Sequence, residues 1–398
     1  MFDGSANGAY DINNYWQGVI TVQLNRGKLS ALAEELGLDL VGITTAEPLV
    51  HLEARLRERI DENRITPFEE ADLGKRLFPA ALLEGCRSIV TLAVSYATSP
   101  DPVLLSPDQP TGLVARFARP LDYHRVITAK ADLLVKAIRK EQGSSFRSRI
   151  LCDTSPLPER ELALRSGLGT IGKNCTLITS LYGSYVSLAT ILFDFELEPD
   201  LPLEYDPCGS CDHCLKACPT GALIKPYTID PFRCLSYLTQ ASGNFPAQYR
   251  ALLGTRLFGC DRCQEVCPHN LGAATTSLQE YAFHFFPARP LLLSLLKMTR
   301  REFDLTIGQT AAGWRGKTTI QRNAIIALGN SESEQALLPL TRLLENDSRP
   351  LIRQHCAWSI GRLGGAKARF ALEKARQRDP VESVKNEAEE ALKNLTFS

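Results

Sequence analysis

Eight of the twelve cysteines of this chain lie in one short segment, between Cys208 and Cys267. A secreted disulfide scaffold with so many cysteines is normally much shorter than these 398 residues. Cysteines crowded in this way are typical of metal ligands, and they constrain the fold more than any other feature. The other four are scattered among apolar residues, where a buried, unreactive thiol is expected; they are Cys86, Cys152, Cys175 and Cys356.

The spacing of these cysteines predicts two iron-sulfur clusters. Residues 208–219 have the C-x2-C-x2-C-x3-C-P spacing of bacterial ferredoxins, in which the fourth cysteine ligates the other 4Fe-4S cluster. Residues 260–268 lack one cysteine of that motif, and Cys234 is the natural replacement. The first quartet of ligands is then Cys208, Cys211, Cys214 and Cys267. The second quartet is Cys218, Cys234, Cys260 and Cys263.

Zinc is the main alternative to clusters, because paired C-x2-C units also form zinc sites. Zinc sites usually lack the triple cysteine run and the Cys-Pro ends of this segment. His213 and His269 lie beside the cysteines, and we expect them to support the ligands or face solvent rather than bind metal. Two clusters move single electrons and transform no substrate, so the reactive group must lie elsewhere.

The rest of the chain predicts a soluble protein of several domains. It is 44% hydrophobic and longer than one typical domain. It contains no apolar run of about 18 residues, and it begins without a basic, apolar leader, so we expect an unexported, cytoplasmic protein that does not enter membranes. A helix is predicted over 29–36 and strands over 38–44, 88–94 and 185–193.

The predicted fold class is α+β, with five parts. Composition places a loop at 99–110 and a linker at 198–207. The parts are an N-terminal extension (1–24), an α/β domain (25–205), a bacterial ferredoxin-like domain with two 4Fe-4S clusters (206–272), a helical connector (273–316) and α-helical HEAT-like repeats (317–398).

The C-terminal part repeats with a period of 32 residues, so that Ala324, Cys356 and Ala388 fall in step, as do Leu340 and Leu372. This period predicts stacked helix pairs that resemble HEAT repeats, with a simple stabilising cap as the alternative. Residues 273–398 carry 18 basic and 13 acidic residues in a chain of zero net charge. An arginine-rich set predicts a phosphate-binding face there; it comprises Arg322, Arg342, Arg349, Arg353, Arg362 and Arg369.

A glycine-rich turn at 168–174 is neither a dinucleotide fingerprint nor a P-loop, and it is equally consistent with ligand approach or a structural turn. Several segments taken together resemble the epoxyqueuosine reductase family. Besides the cysteines, they are RFARPLDYH (116–124), DTSPLPER (153–160), GLGTIGKN (167–174) and RCLSYLT (233–239). The resemblance runs from about residue 28 to the C-terminus, and HEAT-like tails occur in some members.

The resemblance implies an oxidoreductase that reduces the epoxide of epoxyqueuosine at the tRNA wobble position to queuosine. It also implies base-off cobalamin, held in a domain resembling that of reductive dehalogenases, with cob(I)alamin as nucleophile and the two clusters as electron relay. Asp122-Tyr-His124 is not followed by the glycine of the D-x-H-x-x-G cobalamin motif, so His124 is not expected to ligate cobalt. The residues carried over as cofactor contacts are Arg76, Phe117, Asp153, Lys173, Asn174 and Ser236.

Asp153 corresponds to the family's proposed proton donor. Opening an epoxide generates an alkoxide, and a carboxylic acid with a raised pKa can protonate it. Asp153 follows the apolar run 150–152 at an apparent strand end, a position suited to a partly desolvated acid. The alternative is a local cap formed with Thr154 and Ser155.

The implied partners are a tRNA that carries epoxyqueuosine and an external low-potential electron donor, and we expect a monomer. Two other functions stay open at this point. A reductive dehalogenase would share both cofactors but act on an organohalide. A non-catalytic electron-transfer subunit would use its repeats to dock a partner enzyme and would not need cobalamin.

Overall fold

The computed structural model describes residues 24–98, 109–142, 145–276 and 278–395. The predicted N-terminal extension up to residue 23 and residues 99–108 of the predicted loop lie outside the described residues. Within the described ranges, no helix is both long and apolar enough to cross a lipid bilayer.

The first domain is built on short strands with helices on both sides. Its strands are β1 (Leu40–Thr45), β2 (Ser88–Ser95), β3 (Leu113–Val114), β4 (Ser148–Leu151), β5 (Thr170–Ile171), β6 (Leu177–Ile178) and β7 (Val186–Phe193). Its helices are α1 (Arg26–Glu35), α2 (Glu53–Asp61), α3 (Leu73–Leu77), α4 (Tyr123–Gln142) and α5 (Glu159–Arg165). The helix and three strands predicted from the sequence are confirmed as α1, β1, β2 and β7.

A four-stranded sheet in the order β1-β2-β7-β4 forms the centre of this domain, and each neighbouring pair is antiparallel. Every residue of β2 is buried. Val90 and Leu92 pack into a core with α1 and α4, whereas Ile89 packs into a separate core with α2, α3 and α5. Because helices cover both faces, β2 is a continuous apolar run rather than an alternating one.

The cysteine-rich segment forms a small domain of short elements. Its helices are α6 (His213–Ala217), α7 (Leu235–Gln240), α8 (Ala247–Leu253) and α9 (Arg262–Glu265), and its strands are β8 (Leu223–Lys225), β9 (Thr228–Ile229) and β10 (Arg256–Phe258). Strand β10 pairs in parallel with β3 of the first domain. Buried Gln264 donates to the Ser184 carbonyl at 2.9 Å, and Asn270 accepts the Ser184 N–H at 2.7 Å. These bonds fix the cysteine domain against the sheet domain.

The C-terminal part is helical. After α10 (Leu292–Lys297) and α11 (Arg300–Leu305) come five longer helices, α12 (Gly316–Gly329), α13 (Leu337–Asn346), α14 (Pro350–Leu363), α15 (Gly365–Arg378) and α16 (Glu382–Lys393). Ala324, Cys356 and Ala388 are fully buried on α12, α14 and α16, and Leu340 and Leu372 are buried on α13 and α15. The 32-residue period therefore marks equivalent core positions of stacked helix pairs.

Two arginines that the sequence assigned to a phosphate-binding face are buried, so this prediction is wrong for them. Arg322 is 1% exposed and donates to the carbonyls of Ala241 and Gly243 at 2.6 and 2.8 Å. Arg353 is 7% exposed and pairs with Asp379 through two bonds of 2.7 and 2.9 Å. Both guanidinium groups satisfy buried acceptors, which a count of charges along the sequence does not reveal.

Candidate active site

The first quartet of cysteines surrounds one cavity. Cys208, Cys211, Cys214 and Cys267 all line a cavity of about 130 Å³, together with His213 and His269. The loop that carries the first cysteines is shaped by Asp206, which accepts the backbone N–H groups of Cys208 and Gly209 at 2.9 and 3.1 Å. His269 bonds the Pro207 carbonyl at 2.6 Å through its ring nitrogen. The structure thus brings Cys267 to the loop from which it is distant in sequence.

The second quartet also assembles from distant segments. Burial raises the pKa of the Cys234 thiol to about 11, and the nearby Cys260 and Cys218 sulfurs contribute to the increase. Burial likewise raises the pKa of Cys263, which interacts with Cys234, Cys260 and, in the first quartet, Cys214. Thiols that raise one another's pKa are held together as thiolates when a bound metal supplies positive charge. The two quartets are therefore neighbours, as a relay of single electrons requires.

The arrangement of the cysteines suits clusters better than single zinc ions. A zinc site draws its ligands to about 2.0–2.3 Å from one ion. The first quartet instead encloses a space, which an iron-sulfur cube requires.

The glycine-rich turn packs against its own hairpin partner and against the first quartet. A Cβ atom at Gly169 would lie 2.4 Å from the Ile178 carbonyl oxygen, so the close approach of β5 to β6 requires glycine there. Lys173 donates its backbone N–H to the Cys208 sulfur at 3.3 Å and its ammonium group to the Cys211 carbonyl at 2.9 Å. These contacts favour a structural role for the glycine-rich turn. In that role, Lys173 bonds the loop that carries Cys208 and Cys211.

Asp153 lies at the centre of a polar network just after β4. Its carboxylate accepts the Tyr123 hydroxyl at 2.7 Å and lies 3.2 Å from His124 Nε2. His124 Nδ1 lies 2.7 Å from the Asp122 carboxylate, and the Tyr123 and His124 rings stack at 4.0 Å. Asp153 adopts a φ of +55°, a strained conformation for a non-glycine residue, and Glu159 accepts its backbone N–H at 2.8 Å. Contacts from two helices thus hold the residue in place.

The charge state of Asp153 differs from the expectation. Partial burial favours its neutral form, but the hydrogen bonds from His124 and Tyr123 outweigh this effect and lower the pKa of Asp153. Burial opposes the charge on His124, yet the two flanking carboxylates raise its pKa to about 9. The expected raised pKa of Asp153 is therefore wrong. At neutral pH the dissociable proton of this pair resides on His124, while the Asp153 side chain remains 60% exposed.

Glu159 is a second carboxyl group that the sequence did not single out. Burial and the neighbouring Asp153 charge raise its pKa to about 8. Tyr123 and Glu159 both lie inside segments that resemble the reductase family, 116–124 and 153–160. That location was the signal that could have identified them, but their contact with Asp153 depends on how α4 and α5 flank β4.

Two of the predicted cofactor contacts, Phe117 and Ser236, connect to the Asp153 network through Tyr123. The Phe117 ring lies 6.4 Å from the Tyr123 ring and packs against Gly259, where a Cβ atom would come within 2.8 Å of it. The Gly259 N–H donates to the Thr239 hydroxyl at 2.9 Å, and Thr239 donates to the Ser236 carbonyl at 2.9 Å. A continuous series of contacts therefore joins Asp153, through Tyr123 and Phe117, to Ser236.

Arg160 connects Asp153 to the region of two further predicted contacts, Arg76 and Asn174. Arg160 interacts electrostatically with both Asp153 and Arg76. It also donates to the carbonyl of Cys175, the residue after Asn174. Arg76 Nε and Asn174 Nδ2 are buried, and neither has a protein partner among the described residues. Orphaned polar atoms of this kind require an explanation, and the amide-rich rim of a corrin offers them acceptors. The unpartnered Arg76 Nε therefore fits a bound cobalamin, whereas Asn174 also lines the cavity of the first cysteine quartet.

Three family models match this chain. The model described as "Epoxyqueuosine reductase QueG, DUF1730" matches residues 76–154, which include Asp153. A 4Fe-4S double cluster binding domain matches residues 207–270, and HEAT repeats match residues 316–393. The matches lie in the sheet domain, of which 76–154 is a part, in the cysteine domain and in the C-terminal helices.

Curated relatives match over most of their length. The epoxyqueuosine reductase of Bacillus subtilis (strain 168) is 39% identical over 380 residues, which cover 93% of this chain and 96% of the relative. The epoxyqueuosine reductase of Pseudomonas aeruginosa is 32% identical and covers 83% and 92%, respectively.

Solved structures share the whole fold. A crystal structure of epoxyqueuosine reductase with an epoxyqueuosine-modified tRNA-Tyr stem loop matches with a TM-score of 0.90 and 39% identity, over 94% of this chain and 99% of the other. The Streptococcus thermophilus enzyme matches with a TM-score of 0.85 and 32% identity, over 92% and 97%. These matches confirm the α+β class, the ferredoxin-like domain and the helical repeats.

Proposed function

Because this chain belongs to the epoxyqueuosine reductase family of oxidoreductases, we propose that it reduces the epoxide of epoxyqueuosine at the tRNA wobble position to queuosine. The observation that carries the proposal is the Tyr123–His124–Asp153 network, which Phe117 connects to Gly259, the residue before Cys260 of the second quartet. A relative of this fold has been crystallised with an epoxyqueuosine-modified stem loop. The reaction consumes two electrons and two protons and yields an alkene and water.

The eight cysteines would hold two 4Fe-4S clusters, with the first quartet around one cluster and the second quartet around the other. The match to a double-cluster domain over residues 207–270 supports the cofactor. The enclosed first quartet and the mutual interactions of the second support the crossed assignment. An external low-potential donor would deliver the electrons one at a time.

The cobalamin would be held by Arg76, Phe117, Asn174 and Ser236, and it would supply a strongly reducing nucleophile for the epoxide carbon. Lys173 acts instead on the cluster loop, to which its ammonium group is bonded. Asp153 would contact the reacting end of the substrate, because its carboxylate is more than half exposed. His124 bonds two carboxylates, and we do not assign it to cobalt.

Proton delivery would follow from the charge distribution around Asp153. His124 holds a proton at neutral pH and faces the Asp153 carboxylate at 3.2 Å. As negative charge develops on the epoxide oxygen, the proton shared by this pair can pass to it through Asp153. Tyr123 orients the carboxylate, and Glu159 fixes the backbone from which it projects. The two carboxylates around His124 then favour its reprotonation.

A tRNA substrate implies that the proposed reaction takes place in the cytoplasm, with one chain acting on one anticodon. The reductive dehalogenase alternative has no comparable support, because the relatives that cover this chain are named for epoxyqueuosine reduction. The non-catalytic alternative does not account for the network around Asp153. Both alternatives are therefore less favoured than the reductase.

The test is a reaction with defined components. The full chain, reconstituted with iron, sulfide and cobalamin, is incubated with a chemical reductant and an epoxyqueuosine-containing stem loop. The RNA is then digested and its nucleosides are identified by mass spectrometry. We expect queuosine in the complete reaction and none when cobalamin or the reductant is omitted. Unchanged epoxyqueuosine, despite intact clusters and bound cobalamin, would contradict the proposal.

A further inference from the structure

Three aromatic side chains from separate parts of the chain meet on the surface beside the proposed site. The Phe68 ring lies 5.1 Å from the Tyr237 ring and 5.1 Å from the Trp314 ring. Phe68 comes from the segment between α2 and α3, Tyr237 from α7, and Trp314 from the turn before α12. With Arg315 they form what we call the aromatic platform.

The platform is exposed although it is apolar. Phe68 is 42% exposed and Trp314 is 55% exposed, and no helix or loop within the described residues covers them. Rings that meet at tilted or edge-on angles of 52° and 73° stabilise one another but leave part of each face open. A clustered exposed apolar surface, unlike a single exposed side chain, indicates a binding site.

Arg315 gives the platform a positive charge. Its guanidinium group lies 4.4 Å from the centre of the Trp314 ring and 5.4 Å from that of Phe68. The Gln240 carbonyl at the end of α7 accepts its Nε–H at 2.6 Å, which fixes the group in place. Stacked arginine and aromatic planes are the groups that proteins use to bind unpaired nucleobases.

The platform is continuous with the proposed cofactor site. Tyr237 follows Ser236 on α7, and Phe68 precedes Glu69, whose carboxylate lies 3.6 Å from the Arg76 guanidinium. The surface therefore adjoins the place where a nucleotide must lie with its modified base directed toward Asp153. An anticodon loop presents unpaired bases on both sides of the wobble nucleotide, and unpaired bases are the groups that stack on aromatic and arginine planes.

We propose that the aromatic platform stacks an unpaired base that flanks epoxyqueuosine in the anticodon loop, and thereby positions the modified nucleotide at the active site. This inference rests on the proposed function and assigns Trp314 and Phe68 a positioning role in it. A protein partner would be a less specific match, because the platform offers stacking planes and a cation rather than an apolar groove. The base need not be a particular one, since every base has a face that can stack.

The test uses stem loops in which each unpaired nucleotide next to epoxyqueuosine is replaced in turn by an abasic one. We expect the wild-type protein to lose affinity roughly tenfold at one such position, as stacking of one base predicts. Trp314→Leu should bind the intact loop about tenfold more weakly and lose no further affinity at that abasic position, whereas Trp314→Phe should behave nearly as wild type. Phe370→Leu is the matched control, because Phe370 is a 70% exposed aromatic residue on α15.

Two outcomes would overturn the inference. One is a loss of affinity for the abasic stem loop that is as large in Trp314→Leu as in the wild type, or no such loss at any position in either protein. The other is a loss of cobalamin affinity in Trp314→Leu, measured by absorbance titration, which would assign the platform to the cofactor. Failure of the proposed function is a separate result, since it is the absence of queuosine from the intact loop with wild-type protein.

Discussion

The cysteine segment and the network around Asp153 are two functional regions built in opposite ways. In the cysteine segment, seven of the eight predicted ligands lie in two short motifs, 208–218 and 260–267, whose spacing alone suggests the cofactor. In the network, Tyr123 and His124 come from α4, Asp153 from the loop after β4, and Glu159 from α5. No local spacing connects these groups. The packing of two helices against one strand brings them together.

The difference affects chemistry as well as position. A thiolate ligand has the same role wherever the cluster is held, so its identity is sufficient to predict its function. The role of a carboxyl group depends on its neighbours, and Asp153 has a lowered pKa because it faces a charged imidazole. The structure was therefore needed to locate the proton.

The largest effect on activity should follow from replacing the cysteines, and the iron content of the variants tests the crossed assignment. Cys208→Ala, Cys267→Ala and Cys260→Ala should each remove one cluster, halve the iron content and abolish reduction. Because Cys208 and Cys267 line one cavity, the double variant of these two should retain as much iron as either single variant. Iron analysis and the electron paramagnetic resonance signal of the reduced protein measure the outcome. A Cys208→Ala/Cys267→Ala protein without any cluster would contradict the assignment.

Asp153→Asn should have the next largest effect, because it removes the group that passes the proton to the substrate. We expect a single-turnover rate lower by about 10³-fold, within the range of general acid catalysis. Iron content should be unchanged, since the Asp153 carboxylate bonds Tyr123 and His124 and no cysteine. Asp153→Glu serves as the control that keeps the carboxylate. A rate within about threefold of wild type for Asp153→Asn, a far smaller loss than general acid catalysis supplies, would remove Asp153 from the mechanism.

His124→Gln should have a smaller effect, because glutamine can still bond a carboxylate but cannot carry the proton. The expected loss in single-turnover rate is about 10²-fold. Arg125→Gln is the matched control, because Arg125 follows His124 on α4 but bonds the Gln309 side chain instead of Asp153. If His124→Gln turned over as fast as wild type, the proton would have to reach Asp153 from solvent.

Arg322→Ala should affect stability rather than the catalytic rate. The substitution leaves the carbonyls of Ala241 and Gly243 without their donor, which we expect to cost about 2–4 kcal/mol of unfolding free energy. Arg342→Ala, at an exposed position on α13, should change it by less than about 0.5 kcal/mol. Thermal unfolding followed by circular dichroism compares the two. Equal melting temperatures would indicate that the buried hydrogen bonds of Arg322 do not contribute to the stability of the fold.

Much of the fold could be predicted from the sequence. Buried strands with helices on both faces are continuous apolar runs, so the predicted ends of β1, β2 and β7 lie close to those of the structure. The 32-residue period identified Ala324, Cys356 and Ala388 as core positions. Both signals are local, because they depend on which residues are apolar and how they are spaced.

What could not be predicted depends on contacts between distant segments. Arg322 and Arg349 look alike in sequence, but Arg322 donates to the Leu238 carbonyl of α7 whereas Arg349 pairs with Asp347 two residues away. The backbone N–H of Lys173 donates to the sulfur of Cys208, 35 residues further along the chain, and nothing in the local sequence reveals this contact. The role of a charged residue can be inferred only when the groups that it bonds are known.

The pH dependence of queuosine formation tests the central claim, that the proton is held by the His124–Asp153 pair. His124 faces Asp122, Asp153 and Tyr123, and Glu159 lies nearby with a pKa of about 8. Since its pKa is raised to about 9, His124 is protonated below that pH and loses the proton above it. Single-turnover rates with saturating stem loop should therefore stay high through neutral pH and fall as the pH rises through about 9. A rate that already falls between about pH 4 and 6, as expected of a lone carboxylic acid, would contradict the account.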